Sequence, residues 1–159
     1  MLMRNKDKLF FTESVKLAAD MSSCIRVQVG AILVKDGRIV CSGWNGSPPG
    51  HAHCCDIFKD HYPFDHDTLK MTEFKAAHGA FSKSNELHAE ANVICFAAKH
   101  GISTNGLTLI SSTRPCEACA MLIIAAGIKE IFYLDEYDRV DNAETLLKTS
   151  NIPLHKLVL

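Results

Sequence analysis

Residues 88–134 read HAEANVICFAAKHGISTNGLTLISSTRPCEACAMLIIAAGIKEIFYL. From Ala89 to Ala98 the apolar residues follow a helical period, and the run ends near Gly101. Leu107 to Ser111 reads as a strand. Pro115 then heads a second helical run that Gly127 closes, the usual signals of helix entry and exit, and Glu130 to Leu134 reads as a further strand. Helices and strands that alternate in this way define an α/β domain. The same stretch sets His88 at the opening of one helix and Cys116 and Cys119 in the first turn of the other, where residues three apart share a face. Two helix N-termini therefore converge on one point. Their partial positive charge stabilises a thiolate.

Imidazole and thiolate are ligands that zinc takes, and a structural zinc closes its shell with four protein ligands, whereas a catalytic one keeps three and leaves a position to water. His88, Cys116 and Cys119 make three. Glu90, two residues after His88, is within reach of a metal-bound water, so it reads as a proton carrier rather than a ligand. Two simpler readings compete: a structural zinc knuckle and, for the cysteines alone, a redox pair. Either motif by itself favours them, because short motifs recur by chance. A redox pair, however, has no use for His88 and Glu90. His-x-Glu followed by Pro-Cys-x-x-Cys is the established signature of zinc nucleobase deaminases, and both halves stand here in order.

The length of 159 residues fits one domain, 1–159, with room for a real core, and 47% hydrophobic and 22% charged residues fit a soluble globular protein. The first eleven residues hold Arg4, Lys6 and Lys8 but no apolar signal-peptide core, and no apolar run is long enough to span a bilayer. The expectation is a cytoplasmic protein with no membrane partner. Seven cysteines then suit a reducing compartment and metal binding better than a disulfide framework. A net charge of -1 and a pI near 6.7 lack the basic footprint of nucleic-acid binders, which counts against a polynucleotide partner.

Lys6 to Ser22 has the spacing of an amphipathic helix, and Val27 to Val34 and Arg38 to Trp44 are strands joined through Lys35-Asp36-Gly37, a strong hairpin signal. Ile152 to Val158 makes a fifth strand, with a helix over Ala143 to Thr149 before it, so the last two strands are expected to be parallel. The whole predicts a five-stranded mixed sheet with helices on both faces. Residues 46–86 break the pattern as a long insert rich in His, Pro, Gly and Asp, with one helix expected over Thr68 to Phe81.

Gly43-Trp44-Asn45-Gly46-Ser47-Pro48-Pro49-Gly50 resembles the Gly-Tyr-Asn-Gly-x-Pro-x-Gly loop of the phage-type deoxycytidylate (dCMP) deaminases, with Trp44 where tyrosine is usual. Ala126-Gly127-Ile128-Lys129-Glu130 and Tyr137-Asp138 match that family too, and the resemblance runs from about Cys24 to the C-terminus. It implies a three-layer cytidine-deaminase-like fold and hydrolysis of dCMP to dUMP with release of ammonia, supplying dUMP for thymidylate synthesis, in the host cytoplasm if phage-encoded. Backbone groups around Leu87–Ala89 and Ser112–Thr113 would hold the base, Asn45 the sugar and Tyr137 the sugar-phosphate end. Arg26 and Arg114 are the nearest cationic candidates for the 5′-phosphate, which a bidentate guanidinium suits. A solvated surface charge is an equal reading for both arginines, and turn chemistry an equal one for Asn45-Gly46. The resemblance further implies a hexamer activated by dCTP and inhibited by dTTP, with Mg2+ accompanying the regulatory nucleotide. Its effector contacts would be Trp44, Asn45, Gly46, Gly50, Phe96 and Lys99. The rival functions are another zinc deaminase, acting on a free base or a tRNA adenosine, and a zinc-stabilised binding module without turnover. The absent basic footprint weighs against tRNA, and Glu90 weighs against the module.

With the catalytic set removed, five cysteines and seven histidines remain, several at segment junctions rather than in apolar runs. A polar insert with few apolar residues needs something other than burial to order it, and a metal clip would serve. Phage-type dCMP deaminases carry a second zinc, and Cys24, Cys54, His78 and Glu86 match its ligand positions. His53 and Cys55 are the neighbours that would exchange roles with them. Taken singly, Cys24 and Cys54 also read as small buried hydrophobes and His78 as a helix-surface residue.

Overall fold

The computed structural model describes residues 3–61, 68–136 and 141–159, the side chains of residues 61 and 68–71 excepted. Helix α1 (Asn5–Asp20) leads into strands β1 (Gly30–Lys35) and β2 (Arg38–Trp44); the insert holds a single turn, α2 (Cys54–Ile57), and helix α3 (Thr68–Asn85). Then follow α4 (Ala89–Lys99), β3 (Thr108–Thr113), α5 (Glu117–Ala125), β4 (Glu130–Asp135), α6 (Ala143–Thr149) and β5 (Leu154–Lys156). The strands form one sheet in the order β2-β1-β3-β4-β5. β1 pairs antiparallel with both β2 and β3, while β3, β4 and β5 run parallel. The mixed sheet and its parallel end stand as the alternation of elements requires.

Asp36 and Gly37 form the two-residue hairpin loop, both with positive φ, while Lys35 and Arg38 pair across it. That is the backbone whose twist suits a tight hairpin, and Asp-Gly tolerates it. β1 is apolar on both faces because helices cover both. Ile32 and Val34 point to the α1 side, where Phe11, Val15, Ala18, Ile110 and Phe132 pack around them. Ala31 and Leu33 point the other way, into a larger core with Val93 and Ala97 of α4, Ala120 and Ile123 of α5, and Leu147 of α6. The strand period of two thus feeds two cores, and the three layers follow from it.

Two contacts place the functional helices. Gly127 (φ +70°) ends α5 in the left-handed conformation, with Ile128 N–H reaching back to Ile123 O at 3.3 Å. At the other end of α4, Gly46 and Leu87 exchange backbone bonds of 3.1 and 2.9 Å, so the insert returns to the point where it left and delivers His88 beside β2.

The insert differs from its sequence reading in one respect. Phe58 and Phe74 are buried with Cys24 and Cys54, and Phe81 packs against them. Ring centroids lie 5.5 Å apart for Phe58 and Phe74 and 5.6 Å for Phe58 and Phe81, both edge-on. Burial therefore does contribute to ordering this segment. Its apolar residues were too far apart in sequence to show a period, and the helix that carries two of them runs four residues beyond Phe81.

Candidate metal and catalytic site

His88 and Cys116 are the N-cap residues of α4 and α5, both in extended backbone conformation, with Pro115 one position before the cap. Capping residues stand clear of the helix barrel, so the two side chains meet where the helix ends meet. Nδ1 of His88 lies 3.4 Å from Sγ of Cys116 and 3.4 Å from Sγ of Cys119. Zinc bonds of about 2.0–2.3 Å at a tetrahedral angle put such ligand atoms about 3.6 Å apart, so the donor set fits that ion with only a slight expansion. The Cys119 thiol, hydrogen-bonded to Cys116, lowers the pKa of the Cys116 thiol. That same contact and burial push Cys119 up. The pair shares one proton and holds one thiolate ready, the form that binds a metal.

Glu90 is 4% exposed, in the first turn of α4, with Oε2 3.6 Å from Cys119 Sγ. Burial raises its carboxyl above the usual range, with its own backbone N–H and the nearby His88 opposing. A carboxylate so placed exchanges protons readily. His88 itself is exposed, and His88, Glu90 and Cys116 line a cleft of about 670 Å³, with Cys119 buried behind them.

The walls of the cleft hold several of the residues singled out in the sequence. Asn45, Arg26, Thr113 and Arg114 line it. The Asn45 amide accepts from Val29 N–H and donates to Val27 O, both at 2.8 Å, so it ties down the wall that carries Arg26. These partners lie 16 and 18 residues away, so the amide braces a long-range contact and not a local turn. Arg26 is exposed. Arg114 is not the solvated surface charge of the simpler reading: its side chain is 7% exposed and meets Asp141 at 3.3 Å, Glu136 at 3.5 Å and Glu144 at 4.0 Å. Ser112 does not line the cleft; its hydroxyl accepts from Gly30 N–H at 3.0 Å. Tyr137 lies outside the described residues. Trp44 and Gly50 lie beyond the cleft lining, and Phe96 and Lys99 stand exposed at the far end of α4. Asn92 joins these regions, donating to Trp44 O at 2.6 Å.

A second cluster stands in the same wall. Ligand atoms of Cys24, Cys54 and His78 all lie within 4.8 Å of one another, and the residues are 2%, 0% and 3% exposed. Sγ of Cys24 is 3.3 Å from Nε2 of His78. Burial pushes the Cys54 thiol up to about 12 and lowers the His78 imidazole. Both carboxylate oxygens of Glu86 are buried without a hydrogen-bond partner among the described residues. Of the two neighbours, His53 bonds Ser23 at 3.2 Å and Cys55 is exposed, and neither joins the cluster. Sequence reading missed Ser82 and Lys83 on α3, and Glu117 and Asp141, which also line the cleft. The helical spacing of residues 78, 79, 82, 83 and 86 was the available signal for the α3 face.

A family model for the cytidine and deoxycytidylate deaminase zinc-binding region matches residues 4–135, and the chain belongs to this family. Among relatives, the deoxycytidylate deaminase of Enterobacteria phage T4 is 37% identical over 145 residues, covering 77% of this chain and 75% of the phage protein. That of Mycobacterium phage D29 is 32% identical over 133 residues, 80% of this chain and 93% of its own. The crystal structure of the cyanophage S-TIM5 dCMP deaminase in complex with dCMP and dUMP superposes with a TM-score of 0.74 at 31% identity, covering 98% of this chain and 99% of that one.

Proposed function

We propose that this protein is a zinc-dependent dCMP deaminase that converts dCMP and water to dUMP and ammonia. The observation that carries the reading is the buried Glu90 carboxyl beside three converging metal donors at the floor of an open cleft. Held by His88, Cys116 and Cys119, zinc would supply a water of lowered pKa as the nucleophile for C4 of the cytosine. Glu90 is placed to accept the proton that the attacking water gives up. It delivers protons to N3 and then to the amine, whose C–N bond breaks so that ammonia leaves. Asn45 fixes the wall that flanks the sugar, and Thr113 and the backbone before Glu90 border the base. Comparison of ammonia release from dCMP, dCTP, cytidine, cytosine and a tRNA anticodon arm tests the assignment. Turnover of dCMP ahead of the rest is the expected result, and preference for another substrate would overturn it.

The finer readings rest on the resemblance carried by the sequence motifs. The chain acts as one deaminase unit over 1–159, with the insert at 46–86 as part of it. Cys24, Cys54, His78 and Glu86 hold a second, structural zinc; the buried trio supports it, and the Glu86 carboxylate, outside that trio but buried and without a partner among the described residues, would complete the set. A hexamer activated by dCTP and inhibited by dTTP with Mg2+ would use Trp44, Asn45, Gly46, Gly50, Phe96 and Lys99 and feed thymidylate synthesis in the cytoplasm of a host. No helix among the described residues is long and apolar enough to cross a membrane. Regulation falls if dTTP with Mg2+ leaves dCMP turnover unchanged at every substrate concentration.

A further inference from the structure

The catalytic cleft is lined by charges of both signs. His78, Gly79, Ser82, Lys83 and Glu86 line it from α3, and their spacing makes a single helical face. Arg26, in the segment after Cys24, lines the same cleft. Both Arg26 and Lys83 are exposed, and neither is ion-paired among the described residues. A Cβ added at Gly79 would meet nothing within 4 Å, so α3 leaves room there. Glu117 and Asp141 line the same cleft. Another cation of the lining, Arg114, is already matched by Asp141, Glu136 and Glu144.

A nucleoside monophosphate carries its charge at one end and its reacting base at the other. With the base over Glu90, the phosphate needs a cation of the cleft lining. Beside Asp141, Glu117 or Glu86 it meets like charge, and Arg114 already has its carboxylates, which leaves Arg26 and Lys83, whose charge-assisted hydrogen bonds are the strong kind. We propose that Lys83, on the insert helix, acts together with Arg26 as the phosphate-binding pair, so that α3 selects a 5′-monophosphate over the bare nucleoside. This rests on the deamination reading above. Lys83 is then a specificity-determining residue and takes no part in the proton transfers.

The test compares zinc-loaded wild type, Lys83→Glu, Lys83→Ala and Lys75→Glu, the last an exposed position of α3 outside the cleft lining. For Lys83→Glu we expect the KM for dCMP to rise by about tenfold or more, and for Lys83→Ala by a smaller factor, with kcat changed by no more than about threefold. The kcat/KM preference for dCMP over deoxycytidine falls by the same factor. Titration calorimetry with dUMP should show the same weakening and a flatter dependence on ionic strength. Lys75→Glu should move neither KM nor dUMP affinity by more than about twofold, as an exposed charge away from the ligand. Unchanged KM and dUMP affinity in Lys83→Glu would overturn the proposal, and so would an equal rise in Lys75→Glu. Because dUMP binding is read without turnover, Lys83 is decided even if dCMP proves to be a poor substrate, which would count against the deamination reading alone.

Discussion

The molecule holds two clusters of soft ligands in the wall and floor of one cleft, and they are built in opposite ways. His88 and Cys116 cap two helices and Cys119 sits in the first turn of one of them, with the imidazole exposed and a buried carboxyl alongside. Cys24, Cys54 and His78 come from a loop, a single turn and a helix interior, all sealed under Phe58 and Phe74. Three donors on an open face leave room for a reactant. Three donors under aromatic rings leave none. On the reading proposed above, the contrast separates a place for chemistry from a place for holding segments together.

The largest effect that would break this contrast lies at Glu90. Glu90→Gln should lower turnover by at least about a hundredfold, with metal content and folding retained, because the amide keeps the shape but cannot accept a proton. A smaller loss, measured in steady state, would make Glu90 a packing residue. Replacing His88, Cys116 or Cys119 should instead lower the metal content itself, read by elemental analysis; normal content in all three variants would move the ion elsewhere. The closed cluster should answer differently. In Cys54→Ser we expect one metal equivalent to be lost, the insert to become protease-sensitive and the melting temperature to fall by roughly 5 °C or more. One zinc per chain in the carefully purified wild type would refute the second site.

The smallest effect sharpens the comparison. At Gly43 in β2 an added Cβ would come within 2.6 Å of the Val93 backbone nitrogen in α4. Gly43→Ala should therefore push α4 outward and cost about 1–3 kcal/mol in denaturant unfolding. Metal affinity should drop at the open cluster, whose His88 caps α4, and stay intact at the closed one.

Local signals carried much of this into the sequence. Pro115, Gly101 and Gly127 mark helix ends by backbone preference, Asp36-Gly37 marks a hairpin, and the helix-cap ligands follow from those helices. What stayed hidden depends on partners far along the chain. Arg114 reads as a surface charge until Asp141 and Glu136 fold over it. Phe58, Phe74 and Phe81 read as scattered residues until α3 turns back on α2. The boundary of β1 shifted too: Val27 and Val29, counted as strand by their branching, are held by the Asn45 amide outside the ladder.

The paired amides of Gly46 and Leu87 give the insert the form of a lariat, its neck closed by two backbone hydrogen bonds. Whatever length of chain is threaded between those residues, the neck presents His88 at the same spot. Lengthening or trimming such a loop changes its closure entropy only slowly. Recognition written on the lariat can therefore drift, be shortened or be exchanged between relatives as a cassette, while the machinery below the neck is left untouched.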